Sequence, residues 1–205
     1  MSVYRARNAE NVRQLALQVI SVGGAVALWS LDEAPDPELE TWTVGHGAGP
    51  RSRHLNALVA SLPRTVGRWL VVADDDVELT HVSVDRLVRI VRNAQLDLAQ
   101  PAHSGRSAIS HPVTLTRALS IARRTRFVEI GPIFVASPRI QQRILPMDET
   151  LPMGLGLDLI WSLLSEEGYL LGIVDCAVMV HAGPIAAGYE SDHARVDELT
   201  AAAGG

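Results

Sequence analysis

Three consecutive carboxylates, Asp74, Asp75 and Asp76, follow the apolar, β-prone run "WLVVA". Alternate residues of an extended chain reach the same side, so Asp74 and Asp76 can share one divalent cation that cancels their repulsion. Mg²⁺ or Mn²⁺ held in this way also takes substrate phosphates. The competing reading is a solvated turn in which Asp75 or Asp76 caps the next element. The strand ahead favours the cation, because it aims the acids at the sheet edge where α/β proteins bind ligands. Other residues of a reactive type are Asp158, after two glycines in "GLGLD", His181, directly after an apolar strand, and Glu129, the one acid in "FVEIGPIFV". Burying Glu129 in a strand is costly unless it is paired, either with Arg126 or Arg117 or with the hydroxyls of a ligand. The glycines of "TVGHGAGPRSRHLN" run G-x-G-x-G into Pro50, so the dinucleotide fingerprint fails. Arg51, Arg53 and His54 there suit either a phosphate or a solvated helix start.

Placing these groups requires strands that end at them. "NAENVRQLALQVI" predicts a helix with Val12, Leu15, Ala16, Val19 and Ile20 on one face. "AVALWSL" follows as a buried strand ending at Asp32, and "RSRHLNALVASL" is a second helix. Ser83 is placed to cap a third. "LDLAQP" reads as a short strand, residues 103–126 as a polar, arginine-rich connection, and "RFVEIGPIFVA" as a strand. "SPRIQQRIL" and "GLDLIWSLLSEEG" are helical, the latter with Leu157, Ile160, Trp161 and Leu164 inward and Asp158 outward. "LLGIVDCAVMV" is the last strand. Strands alternating with helices predict a mostly parallel central sheet flanked by helices.

The chain has 205 residues, enough for one α/β domain, expected over residues 1–195 with a disordered tail at 196–205. A net charge of −5 offers nucleic acid no global attraction. All eighteen basic residues are arginine, which excludes a Walker P-loop and Schiff-base chemistry. It also counts against receiver-type and haloacid-dehalogenase-type aspartate sites, which normally add a lysine. A single cysteine, Cys176, allows no internal disulfide. The longest apolar stretch, "VISVGGAVALWSL", is too short for a membrane span. No apolar leader opens the chain, so a cytoplasmic protein is the expectation.

The order of strand, D-x-D, G-x-G-x-D opening a helix, and strand ending in histidine resembles the GT-A glycosyltransferases. More narrowly, "DDDV", "AQPA", "SHPVTLTR", "RFVEIGPIFV", "GLGLDLIW" and "GIVDCAVMVH" are similar to runs in a little-characterised glycosyltransferase-like family best known from plants. That resemblance covers roughly residues 69 to 185. It departs at Leu155, where the family usually has tryptophan, and at His103, where an acidic or apolar residue is more usual. It implies a Rossmann-like GT-A domain in which Asp74, Asp76 and His181 hold Mn²⁺ or Mg²⁺ and Asp75 lines the donor site. Asn56 sits where such enzymes often have an asparagine. Asp32 is the candidate for the nucleobase or ribose, with Tyr4 stacking. Asp158 is the implied base of an inverting transfer to an acceptor hydroxyl, and Glu129 binds acceptor or sugar hydroxyls. The donor is a nucleoside-diphosphate sugar, with UDP from family habit. The rival readings are a non-catalytic sugar-nucleotide binder and a metal-dependent phosphohydrolase or nucleotidyltransferase. The small residues after His181 suggest a mobile lid over 182–195.

Overall fold

Strands too short to stand alone open the chain and lean on one another. A computed structural model describes residues 1–63, 67–107, 109, 111–154 and 156–181; the expected lid, the expected tail and Leu155 lie outside them. Strand β1 (Ser2–Tyr4) leads to helix α1 (Ala9–Ile20), strand β2 (Leu28–Ser30), strand β3 (Thr43–His46) and helix α2 (Arg51–Ser61). The three strands form a parallel sheet in the order β1-β2-β3. The next strand, β4 (Leu70–Ala73), is stitched to this sheet. The Met1 nitrogen donates to the Val71 carbonyl, and the Ala73 N–H donates to the Met1 carbonyl.

Beyond β4 come β5 (Val77–Thr80), α3 (Val84–Asn93), β6 (Leu98–His103), β7 (Arg123–Thr125), β8 (Ile133–Ala136), α4 (Pro138–Ile144), α5 (Leu157–Leu163) and β9 (Leu171–His181). The second sheet runs β4-β8-β6-β9-β5, with β7 beside the first part of β9. Only β6 and β9 pair in parallel; the other pairs are antiparallel. The expectation of a mostly parallel central sheet is therefore corrected: the sheet is mixed. Strand β7 falls in the stretch read from sequence as a connection, and β5 in one given no element there. They supply antiparallel neighbours that no helix crossover links.

The mixed order also forces a curl. Residues 74–76, between β4 and β5, can span at most about 14 Å. Strands four places apart in a flat sheet would lie about 19 Å apart. The sheet bends until its two edges meet at the three aspartates, and Val77 comes opposite His181. Helices cover both faces. Strand β8 shows the division, with Phe134 and Ala136 packing beside Leu55, Leu58, Ile140 and Trp161. Ile133 and Val135 pack beside Leu87, Val91 and Met179. Ser83 caps α3 as expected, accepting from the Arg86 N–H. No helix among the described residues is long and apolar enough to cross a membrane.

Candidate active site

The aspartates at the curl each meet a different partner. Asp74 is ion-paired with Arg51 at the start of α2, its Oδ1 2.6 Å from Nη2 and 3.1 Å from Nε. Its other oxygen abuts Gly131, where an added Cβ would fall 2.7 Å from Oδ2 and push the carboxylate aside. Asp75 turns away and accepts from the Arg5 N–H at 2.8 Å. Burial pushes its carboxyl above the ordinary value, against bonds from Arg5 and Asn8. Asp76 Oδ1 lies 3.2 Å from His181 Nε2. That hydrogen bond lowers the Asp76 carboxyl and raises the imidazole, each against some burial cost. Arg7 adds a weaker positive field at Asp76.

A second acidic group lies deeper. Glu129 is 7% exposed, and neither Arg126 nor Arg117 pairs with it. Its Oε2 sits 2.7 Å from His103 Nε2 and accepts from Gln100 Nε2 at 3.1 Å. The Glu129 N–H donates to Gln100 Oε1 at 2.6 Å. Gln100 thus grips both the backbone and the carboxylate of one residue. Asp158 is 8% exposed. Burial raises its carboxyl above the ordinary value, the Leu159 N–H and the field of His111 oppose that, and Glu129 adds to it. His181 also feels Asp74 and Glu129. Asp158 thus feels Glu129, and His181 feels Asp74, Asp76 and Glu129, so the five carry a shared electrostatic environment.

The helix that carries Asp158 is oriented differently from the expectation. Leu157, Trp161 and Leu164 are buried, but Ile160 is exposed and Asp158 lies on the buried side. Gly154 explains part of this. It has φ +84°, and a Cβ there would meet Ile130 Cδ1 at 2.6 Å, so the bend before α5 depends on glycine.

The remaining donor-side residues are engaged within the protein. Tyr4 is fully buried, its hydroxyl 3.0 Å from Thr43 Oγ1 and accepting from the Asp36 N–H. The ring face that a base would stack on is already covered, so the stacking expected of Tyr4 is corrected. Asp32 accepts from the Ala6 N–H at 2.6 Å. With Asp75 on Arg5, the two carboxylates hold successive amides of the turn after β1. Asn56 Nδ2 donates to the Met147 carbonyl, its Oδ1 accepts the Met147 N–H, and Nδ2 also reaches Glu149. Its amide is spent on tying that loop to α2, which corrects the donor-binding expectation for Asn56. A 450 Å³ apolar cavity between α1 and β4 includes none of the five clustered residues in its lining.

Sequence reasoning missed Gln100, His103 and His111, and left Arg51 open between two readings. His103 was visible only as an odd residue after "QPA". Among the described residues no three His, Cys, Asp or Glu side chains converge on one point as a complete metal site. Asp76 and His181 do converge, and one carboxylate with one imidazole suits a cation that completes its shell with water and phosphate oxygens. Asp74 does not join them; it is held by Arg51.

No protein-family model matches the sequence, and no curated protein matches it. Solved structures do match. The chain superposes on the crystal structure of GalNAc-T7 with UDP, GalNAc and Mn²⁺ with a TM-score of 0.65 at 11% identity. The fold is similar to that of a GT-A glycosyltransferase. The match covers 97% of this chain and 47% of that one, so the chain spans just under half of GalNAc-T7's length.

Proposed function

We propose that this GT-A-like domain transfers a sugar from a nucleoside-diphosphate donor, UDP by default, to an acceptor hydroxyl. The observation that carries this reading is the meeting of Asp76 and His181 at the curl, with Asp158 and Glu129 behind them. A divalent cation, Mn²⁺ or Mg²⁺, held there by Asp76 and His181 would offset the charge on the departing diphosphate. Arg51 neutralises Asp74 in the free protein and transfers to a phosphate when donor binds, which frees Asp74 to join the pair. Asp158 accepts the proton of the acceptor hydroxyl as that oxygen attacks the anomeric carbon. The bond from that carbon to the diphosphate breaks, with inversion. A carboxylate raised by burial is a stronger base than an ordinary one, which suits this task. Glu129, fixed by Gln100 and His103, orients a sugar hydroxyl. The motif runs extend the resemblance to the plant family.

Titration calorimetry with UDP tests the donor half. UDP binds more tightly with Mn²⁺ than with EDTA, and Asp76→Ala removes the difference. Equal affinity in EDTA would remove the cation from the reading. The Arg51–Asp74 pair favours one rival, a binder that holds sugar nucleotide without turning it over. Metal-dependent UDP binding without any release of UDP from UDP-sugars, across a panel of acceptors, would support that rival. Release of sugar phosphate would instead mark a phosphohydrolase.

A further inference from the structure

Between Asp97 and Glu129 the chain holds five arginines and no acid, in a protein whose net charge is −5. Within this stretch Leu119 is fully exposed, Ile121 is 68% exposed and Val113 is 37% exposed. Leu119 also adopts φ +63°, a left-handed conformation unfavourable for a branched side chain. Arg117, Arg124 and Arg126 are exposed, and none has an ion-pair partner among the described residues.

This stretch is anchored along β9. Thr116 Oγ1 donates to the Asp175 carbonyl, the Arg117 N–H to Asp175 Oδ1, and the Cys176 N–H to the Ile121 carbonyl. Arg123 Nη1 lies 2.5 Å from the same Asp175 Oδ1, and β7 pairs residue by residue with Leu171–Ile173. Residues 116–125 are therefore held on one edge of the sheet. Leucine and isoleucine tips face outward there, with unpaired arginines in the same short segment.

We propose that this edge docks on an anionic lipid bilayer. Aliphatic tips with guanidinium groups beside them combine shallow burial in the interface with attraction to acidic headgroups, and two such signals together give stable adsorption. A protein partner calls for a broader patch with aromatic residues at its centre, and the exposed tips here are all aliphatic. Single-stranded nucleic acid calls for stacking rings, which the exposed tips lack. The proposal is independent of the transfer reaction.

Co-sedimentation of the purified chain with vesicles tests it without any donor or acceptor. One set is phosphatidylcholine alone, and the other is equal parts phosphatidylcholine and phosphatidylglycerol. The chain sediments with the anionic set only, and high salt releases it. Each arginine near such a surface contributes about a fivefold gain in partitioning, so the Arg117→Ser, Arg124→Ser, Arg126→Ser triple variant binds roughly a hundredfold more weakly. Leu119→Ser alone costs about tenfold. Both variants change exposed side chains and keep the parent circular dichroism. Sedimentation with neither set, or equally with both, overturns the proposal. So does full binding by the two variants, or retention of the chain by a short RNA as strongly as by anionic vesicles.

Discussion

Asp74 and Asp76 stand at a partly open strand end with a cationic or imidazole partner apiece, whereas Glu129 and Asp158 are buried, with no arginine paired to them among the described residues. In the open half the repulsion between neighbouring carboxylates is offset by Arg51 and His181. In the buried half, hydrogen bonds from Gln100, His103 and the Leu159 N–H hold the two carboxylates in place. The open half therefore meets its charges at a solvent-accessible edge, and the buried half is held by hydrogen bonds from within the protein.

The comparison breaks most visibly at Asp158. Asp158→Asn keeps the shape and removes the proton acceptor, so transfer falls by about a hundredfold or more while UDP affinity is unchanged. Turnover beside calorimetric UDP binding checks this, and lost UDP binding would move Asp158 into the open half. Because the folded Asp158 carboxyl lies above its ordinary value of 3.8, the transfer proposed for the parent protein is lost with acid through a limb that sits above that value. Asp158→Asn abolishes the limb.

A smaller effect sharpens the buried half. His103→Leu removes the closest partner of a buried carboxylate and costs about 2 kcal/mol of stability by urea denaturation. His103→Gln, which keeps a donor, recovers part of it. A loss within error for His103→Leu would mean that Gln100 alone satisfies Glu129.

The smallest effect belongs to the open half. His181 titrates above 6.5 in the folded protein, so its part of the pair's stability is complete below 6.5 and is lost as pH rises through the folded value. Asp76 titrates below 3.8, so its part is complete above 3.8 and is lost as pH falls through the folded value. The pair therefore stabilises most between 3.8 and 6.5, by no more than about 1 kcal/mol for a half-exposed contact. Melting temperatures of the metal-free protein across this range, beside those of His181→Ala, test it. A parent-minus-variant difference that stays constant from pH 5 to 9 would break the assignment (these pH settings span the region about 6.5).

Much of the molecule was legible in local chemistry. The apolar periods of α1, α2 and α3, the Ser83 cap and the apolar run of β8 follow from side-chain spacing and capping, which act within a few residues. The same local logic marked Asp74, Asp76, Asp158, Glu129 and His181, because acids and a histidine at the ends of apolar runs are few in this chain. Partners were not legible. Gln100 and His103 would lie on opposite faces of a regular strand, yet both reach Glu129 Oε2, since the pairing of β6 with β9 shifts between Pro101 and Ala102. Arg51 reaches Asp74 across 23 positions, and Asp76 reaches His181 only because the sheet curls. Strand direction was likewise decided by pairing, as β5 and β7 are too short and too polar to announce themselves. The sequence by itself singled out the acids and the histidine at the ends of apolar runs, because that depends on side-chain type and local pattern. Only the tertiary structure decided which of them touch, because curl, register shift and loop anchoring are long-range consequences of how strands pair.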